Sequence, residues 1–169
     1  GGGSSVNAQV YIRGRPSDYD EWNEILRGNN DGADWSWNAV LKHFRGMEGN
    51  NRLNNERHGT DGPLLVSDPG HVNELSRWFV QAVQALGEPF NADFNGASQR
   101  GVGFYQFMNR SGRRSSAAYA FIEPLSKDSR LTVKLRAEVT RIVVENGRAI
   151  GVAYRVDGQD RTAYARNEI

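Results

Sequence analysis

The chain contains no cysteine among its 169 residues. That excludes disulfides, thiolate nucleophiles and cysteine-based metal sites, while leaving the compartment open. Histidine is scarce, at three residues. None has acidic or histidine partners at a metal-ligand spacing on a regular element, so no metal site is expected. An excess of one charge is also missing: 21 basic residues face 20 acidic ones, for a net charge of +1. Nothing in that balance argues for nucleic acid or an anionic surface as a partner. No apolar run reaches the length a bilayer span needs. The chain does not open on methionine and shows no signal peptide, and both ends fall inside apparent motifs or strands. It is therefore expected to be an internal piece of a longer protein, long enough for one domain with a core.

Glycine, by contrast, is plentiful at 19 residues, spread through turns rather than repeated. The opening is the densest stretch: Gly1-Gly2-Gly3-Ser4-Ser5-Val6-Asn7, then Ala8, Gln9 and the β-prone Val10-Tyr11-Ile12. A flexible tag would have no reason to run into such a strand. Tiny residues permit close approach of main chain to another group. Successive amides in such a loop also form a concavity suited to an anion.

Downstream, Ser17 or Asp18 is expected to cap a short helix through Trp22 and Leu26 that ends near Gly28, with a turn over residues 29–32. Ser36 should cap a second helix whose Trp37, Val40, Leu41 and Phe44 share one face. His43 lies at the boundary of that face. Gly46 to Gly62, including His58, reads as a long polar surface loop, a lid or a solvated excursion. Leu64 to Val66 is a short strand. Asp68-Pro69 looks like a helix start, and Val72, Leu75, Phe79, Ala82, Val83 and Leu86 then keep the spacing of a core-facing helix until Gly87. Val102 to Phe107 reads as a strand whose aromatics pack in the core in the favoured reading, with a cavity wall as the alternative. Arg113 and Arg114 precede a helix over Ala117–Ile122, capped by Ser115 or Ser116 and stopped by Pro124. Those two arginines could meet a phosphate or an acidic partner, with a solvated pair the favoured reading. Leu131 to Leu135 should be a strand. Val139–Val144, a turn at Asn146-Gly147, the alternating Ile150, Val152, Tyr154 and Val156, a turn at Asp157-Gly158 and a return over Thr162–Ala165 then make a three-stranded antiparallel meander.

The opening string resembles the flavin-contacting motif of the glucose-methanol-choline (GMC) oxidoreductases at Gly1-Gly2, Gly3-Ser4, Val6, Asn7, Tyr11, Gly14 and Asp20. The likeness continues through Asp18-Tyr19-Asp20-Glu21-Trp22, Trp35-Ser36-Trp37, Gly59-Thr60-Asp61-Gly62-Pro63-Leu64, Gly112 to Ala117, and the strands from Leu131 onward. Tyr105-Gln106 resembles the bacterial alcohol and choline dehydrogenase branch.

The resemblance implies an α+β chain: a fragment of an FAD-binding α/β domain with the meander and helical, irregular substrate-side segments. Residues 1–20 would be the flavin loop, 21–125 the lid and substrate side, and 126–169 the return to the FAD domain. FAD would touch Gly2, Gly3, Ser4, Asn7, Ala8, Gln9 and Val10, with Val139 offering backbone to the adenine end. The substrate would be a small alcohol, losing hydride to flavin N5, and the electron acceptor stays open. Some members tether FAD through a histidine at the position of Val6, which has no nucleophilic atom, so FAD is expected to be noncovalent. The Gly-x-Gly-x-x-Gly fingerprint and the histidine that accepts the hydroxyl proton have no counterpart in these residues, so no catalytic residue is assigned and the segment alone should not turn over. Localisation is left between cytoplasmic and membrane-peripheral. The alternative from another class is a stand-alone binding domain whose glycine loop cradles a phosphate-bearing ligand; a third reading is a degenerate, non-catalytic relative.

Overall fold

In the computed structural model, residues 2–27 and 32–169 are described. They form two compact units, Gly1–Ser126 and Lys127–Ile169.

The first unit opens on a single 3-10 turn, Gly3–Ser5, followed by β1 (Val10–Tyr11) and the helix α1 (Pro16–Arg27). Proline suits a first helical position because its missing N–H would have no partner there. Asp18 then reaches back to accept the Arg15 N–H at 2.7 Å, as an acid at the third position of a capping box does. The helix therefore begins before the caps expected at Ser17 or Asp18. Its expected end at Gly28 and residues 29–31 of the turn expected over 29–32 lie outside the described ones; Gly32 has φ of 67°.

The next helix is α2 (Trp37–Met47). Ser36 occupies the cap position as expected, yet its side chain makes no cap bond. Instead the Trp37 N–H donates to Asp20 Oδ1 at 2.8 Å, so a carboxylate on α1 caps α2. The Tyr19 ring lies 5.7 Å from the rings of both Trp37 and Phe44, which locks the two helices together. His43 is exposed.

The stretch from Gly46 to Gly62 departs furthest from expectation. It is a surface loop only in part, at residues such as Arg52, Asn54, Glu56, Thr60 and Asp61, which are exposed. β2 (Glu48–Asn50) pairs in parallel with β3 (Leu64–Val66), and Glu48, Asn50 and His58 are buried. The glycines explain how. A Cβ on Gly59 would collide with the Arg45 carbonyl, and one on Gly62 with the Met47 carbonyl, so only bare backbone lets the returning chain lie this close. Its buried polar side chains, Glu48, Asn50 and His58, are paired inside the fold, where unpaired polar groups would be costly.

The helix expected from Asp68 starts later, as α3 (Glu74–Ala85). Asn73 is its cap, accepting the Leu75 N–H at 2.9 Å. Asp68 is held elsewhere, by Arg52 at 2.6 Å and Gln106 at 2.8 Å. Gly87, with φ of 96°, terminates the run as expected. The apolar stripe does not pack into this chain's core, however. Leu75, Phe79 and Leu86 are exposed, and Val80 on the flank is the buried residue of α3.

β4 (Gln106–Phe107) is shorter than the strand expected over residues 102–107. It pairs antiparallel with β1, setting Val10 opposite Phe107. Val102 instead bridges in parallel to Phe90, and a Ser67–Phe107 bridge ties the end of β3 to β4. β5 (Asn109–Arg110) and β6 (Arg113–Arg114) form a hairpin. Its turn residues Ser111 and Gly112 have φ of 52° and 73°, as a tight hairpin turn requires. The helix expected after it is a π-helical turn, Ala118–Ile122, running into a 3-10 turn, Glu123–Leu125, that contains Pro124. Ser116 Oγ accepts the Tyr119 N–H at 3.2 Å, in the capping role expected.

In the second unit, residues 131–135 do not form the expected strand. Lys134 instead donates to the Tyr154 hydroxyl at 2.8 Å. The meander is as expected: β7 (Glu138–Glu145), β8 (Arg148–Val156) and β9 (Gln159–Tyr164), antiparallel in that order. Positive φ at Asn146-Gly147 and Asp157-Gly158 makes both turns. Tyr154 is buried, and Ile150, Val152 and Val156 on its face are half-buried.

Candidate cofactor loop and its supporting network

Seven of the eight residues expected at the cofactor, Gly2, Gly3, Ser4, Asn7, Ala8, Gln9 and Val10, fall on one loop that feeds β1. Gly2 has φ of 63° and ψ of −167°, a region open essentially to glycine alone. The turn closes through Ser5 N–H to Gly2 O at 3.1 Å and Asn7 N–H to Gly3 O at 2.9 Å. Gln9 has φ of 65°, uncommon for a residue with a Cβ. Two bonds hold it there: its N–H donates to Asn7 Oδ1 at 3.1 Å, and its carbonyl accepts the Met108 N–H at 2.7 Å.

The hairpin β5–β6 and the residues after it reach the same loop. One terminal nitrogen of Arg114 lies 3.1 Å from Ser4 O, 2.9 Å from Asn7 O and 3.0 Å from Asn7 Oδ1. The Ala117 N–H donates to Ser4 Oγ at 3.1 Å. The reading of Arg113 and Arg114 as a solvated pair therefore holds for Arg113 alone, which is exposed and lies over the Tyr119 ring at 4.3 Å. Val139, the eighth expected residue, belongs to the second unit. It stands opposite Tyr154 on β7, beside a register shift before Arg141, the kind of irregularity that re-aims a strand.

The residues fit the isoalloxazine that the resemblance implies. A Cβ built on Gly2 or Gly3 would meet nothing within 4 Å. Val6, Asn7 and Ala8 are exposed. The loop thus offers open main chain on one side while being tied down through Ser4, Asn7 and Gln9, which suits contact with a flat ring.

Behind β1 lies a buried polar network that sequence reasoning missed. Arg13, just past β1, donates to Glu48 Oε2 at 2.5 Å and to the Arg57 carbonyl at 2.7 Å. Glu48 also accepts from Asn50 at 2.8 Å and the Gly59 N–H at 3.2 Å. His58 sits between two carboxylates, with Nδ1 2.8 Å from Glu48 and Nε2 3.0 Å from Asp93. Burial works against its charge, but hydrogen bonds to Asp93 and Glu48 prevail and push its pKa up to about 9. Burial would raise both carboxylates, yet His58 holds each below its ordinary range, helped at Glu48 by Asn50 and Arg13. Asn95 extends the network to β1 itself, accepting the Arg13 N–H at 2.8 Å and donating to the Tyr11 carbonyl at 3.0 Å. Gln106 continues it on β4 by accepting from Asn50 at 2.8 Å.

The partners are far apart in the chain, so no local motif reveals them. The available hint was Gly49, Gly59 and Gly62 interleaved with polar residues, a pattern of close-packed backbone. His58 is bonded at both ring nitrogens and fully buried, which makes it a structural cation rather than a base.

Next to β4 runs an apolar groove of about 620 Å³ lined by Val72, Leu75, Phe79, Phe104, Tyr105 and Phe107 among others. For Phe104, Tyr105 and Phe107 the cavity-wall alternative therefore holds rather than the favoured core reading. Among the described residues, no helix is long and apolar enough to cross a membrane.

The family profile described as GMC oxidoreductase matches residues 1–169. An alcohol dehydrogenase [acceptor] of Pseudomonas putida is 42% identical over 155 residues, covering 91% of this chain and 27% of that protein. The mitochondrial choline dehydrogenase of Mus musculus is 36% identical over 170 residues, covering all of this chain and 28% of its own length. Among solved structures, an FAD-dependent oxidoreductase from Chaetomium thermophilum superposes with a TM-score of 0.84 at 26% identity, over 98% of this chain and 30% of that one. Pyridoxine 4-oxidase from Mesorbium loti gives 0.82 at 27% identity, over 95% and 31%. The chain therefore spans well under a third of the curated relatives it matches.

Proposed function

We propose, since this chain belongs to the GMC oxidoreductase family, that it supplies the flavin-facing loop and part of the substrate side of an FAD-dependent alcohol oxidoreductase. The observation that carries the reading is the loop from Gly2 to Val10, open on one side at Gly2 and Gly3 and bonded at Ser4, Asn7 and Gln9. When bound, FAD supplies the hydride acceptor, at N5, for oxidation of a primary alcohol to an aldehyde.

This chain's residues bind and orient. Gly2 and Gly3 admit the ring to main-chain contact. Ser4, Asn7, Ala8, Gln9 and Val10 complete that contact, and Val139 offers backbone to the adenine end. The donor class, an alcohol that is choline-like or aliphatic or aromatic, is this reading's own; the Pseudomonas and mouse relatives, named for alcohol and for choline, support the alcohol and the choline-like part of it. None of this chain's buried histidine takes the hydroxyl proton, because His58 has no free ring nitrogen. A stand-alone phosphate cradle is less well supported. The guanidinium nearest the loop, Arg114, turns one terminal nitrogen onto loop oxygens, so the loop's own carbonyls rather than an anion face it there.

Two outcomes are expected of the full-length protein. It should purify yellow and reduce a dye acceptor with primary alcohols, and Gly3→Val, which fills the open side, should weaken FAD binding by roughly tenfold, about 1.4 kcal/mol. Flavin titration of the apoprotein reads this directly; unchanged affinity would remove the loop from the site. FAD should also be noncovalent, since Val6 has no atom to bond it. Acid precipitation should leave the flavin in the supernatant, and flavin retained in the pellet would overturn that.

A further inference from the structure

Arg114 carries an arrangement that its position in sequence does not explain. One of its two terminal nitrogens faces three oxygens of the glycine loop, on Ser4 and Asn7, more than a hundred residues away. Two protons serve three acceptors, so one bond is shared. Asn7 Oδ1, one of the three, is also the acceptor for the Gln9 N–H. Gln9 is the residue in the left-handed region, and its carbonyl is tied to Met108. The Ala117 N–H to Ser4 Oγ bond comes from the same short segment, Gly112 to Ala117. That segment is itself anchored: Ser115 is buried, accepts the Leu65 N–H at 2.9 Å through its hydroxyl, and donates its own N–H to Met108 O at 2.8 Å.

We propose that Arg114 is a positioning residue for the cofactor: it sets the dihedrals of the loop from Ser4 to Gln9 and so pre-forms the surface on which the flavin lies. The assignment rests on the cofactor reading of that loop given above. The physical case is one of pre-organisation. A loop of tiny residues has many conformers, and ordering it upon binding would subtract from affinity. A charge-assisted bond to three loop oxygens orders it beforehand. Asn7 transmits the constraint to Gln9, whose left-handed backbone would otherwise relax. The hairpin that presents Arg114 is rigid enough to serve, because Ser115 fixes its end to β3. Arg113, next in sequence but turned to Tyr119 and Glu123, has no such role and serves as the internal control.

The test uses the full-length protein, reconstituted with FAD. Arg114→Met keeps the stem and removes the donors. It should weaken FAD binding by roughly tenfold or more, the scale of a lost hydrogen bond to a charged group. The visible circular dichroism of the bound flavin should change as well, while the melting temperature of the apoprotein stays within a few degrees of wild type. Arg114→Lys, which retains charge and donors, should recover most of the affinity, and Arg113→Met should leave both readouts unchanged. Wild-type affinity and flavin dichroism in Arg114→Met would overturn the proposal. So would an equal effect of Arg113→Met, because the effect would then be one of net charge. Gly3→Val separates the two ideas. If it impairs FAD binding and Arg114→Met does not, the loop holds flavin without Arg114. If neither does, the loop reading itself fails.

Discussion

Glu48→Ala is expected to destabilise the protein by about 3–5 kcal/mol, the scale on which breaking a buried ion pair from one side operates. The carboxylate has no exposed surface and accepts from four groups: Arg13, His58, Asn50 and the Gly59 amide. Removing it leaves the buried Arg13 guanidinium with no carboxylate and the His58 imidazolium with Asp93 alone. It also leaves two neutral donors unpaired, each carrying a desolvation penalty. Glu48→Gln keeps the shape and some of the acceptors, so it should cost less than alanine while still being harmful. Urea unfolding of the full-length protein, compared between the two variants, reads the difference. A loss below about 1 kcal/mol for alanine, the range of ordinary surface changes, would show that the network does not hold the interior together.

Raising the pH should weaken the fold in a window that His58 defines. Its folded pKa of about 9 lies above the ordinary 6.5. The stability linked to its proton is therefore complete below 6.5 and is lost as the pH rises through 9, roughly 3 kcal/mol in all. Glu48 and Asp93 act in the opposite direction. Their pKa values are lowered from 4.5 and 3.8, so their contribution is present above those values and is lost as the pH falls through the folded ones. Stability from this network should thus peak between about 4.5 and 6.5. Thermal unfolding from pH 6 to pH 10 should show a falling alkaline limb. His58→Asn should start lower and run flatter. Parallel alkaline limbs for wild type and variant would assign the loss to other groups.

Particular elements show where sequence reasoning succeeded. The meander was legible because Asn146-Gly147 and Asp157-Gly158 are local turn signals that need positive φ. The alternation of Ile150, Val152, Tyr154 and Val156 also matches the two-residue period of a strand. α2 was legible from its apolar spacing, although its true cap, Asp20, comes from another helix. Asp68-Pro69 looks like a helix start in isolation, yet α3 begins later, at Glu74. Asp68 is committed to Arg52 and Gln106 instead. The pattern of the α3 face matches a core-facing stripe, yet burial depends on what lies opposite, and within this chain Leu75, Phe79 and Leu86 are exposed.

The polar stretch around His58 is the instructive failure. Hydrophilic composition suggests solvent only when the partners are unknown. Here the partners stand 10 to 56 residues apart, at Glu48, Asp93 and Gln106. Local order told us which residues could turn, cap and alternate, and the resemblance pointed to the loop from Gly2 to Val10, because those properties reside in neighbouring dihedrals and short motifs. Tertiary structure alone decided that His58 is a buried cation, that Arg114 grips the loop and that the α3 stripe is uncovered within this chain. Each of those depends on atoms brought together from distant parts of the chain, and burial and charge pairing have no meaning until that meeting has occurred.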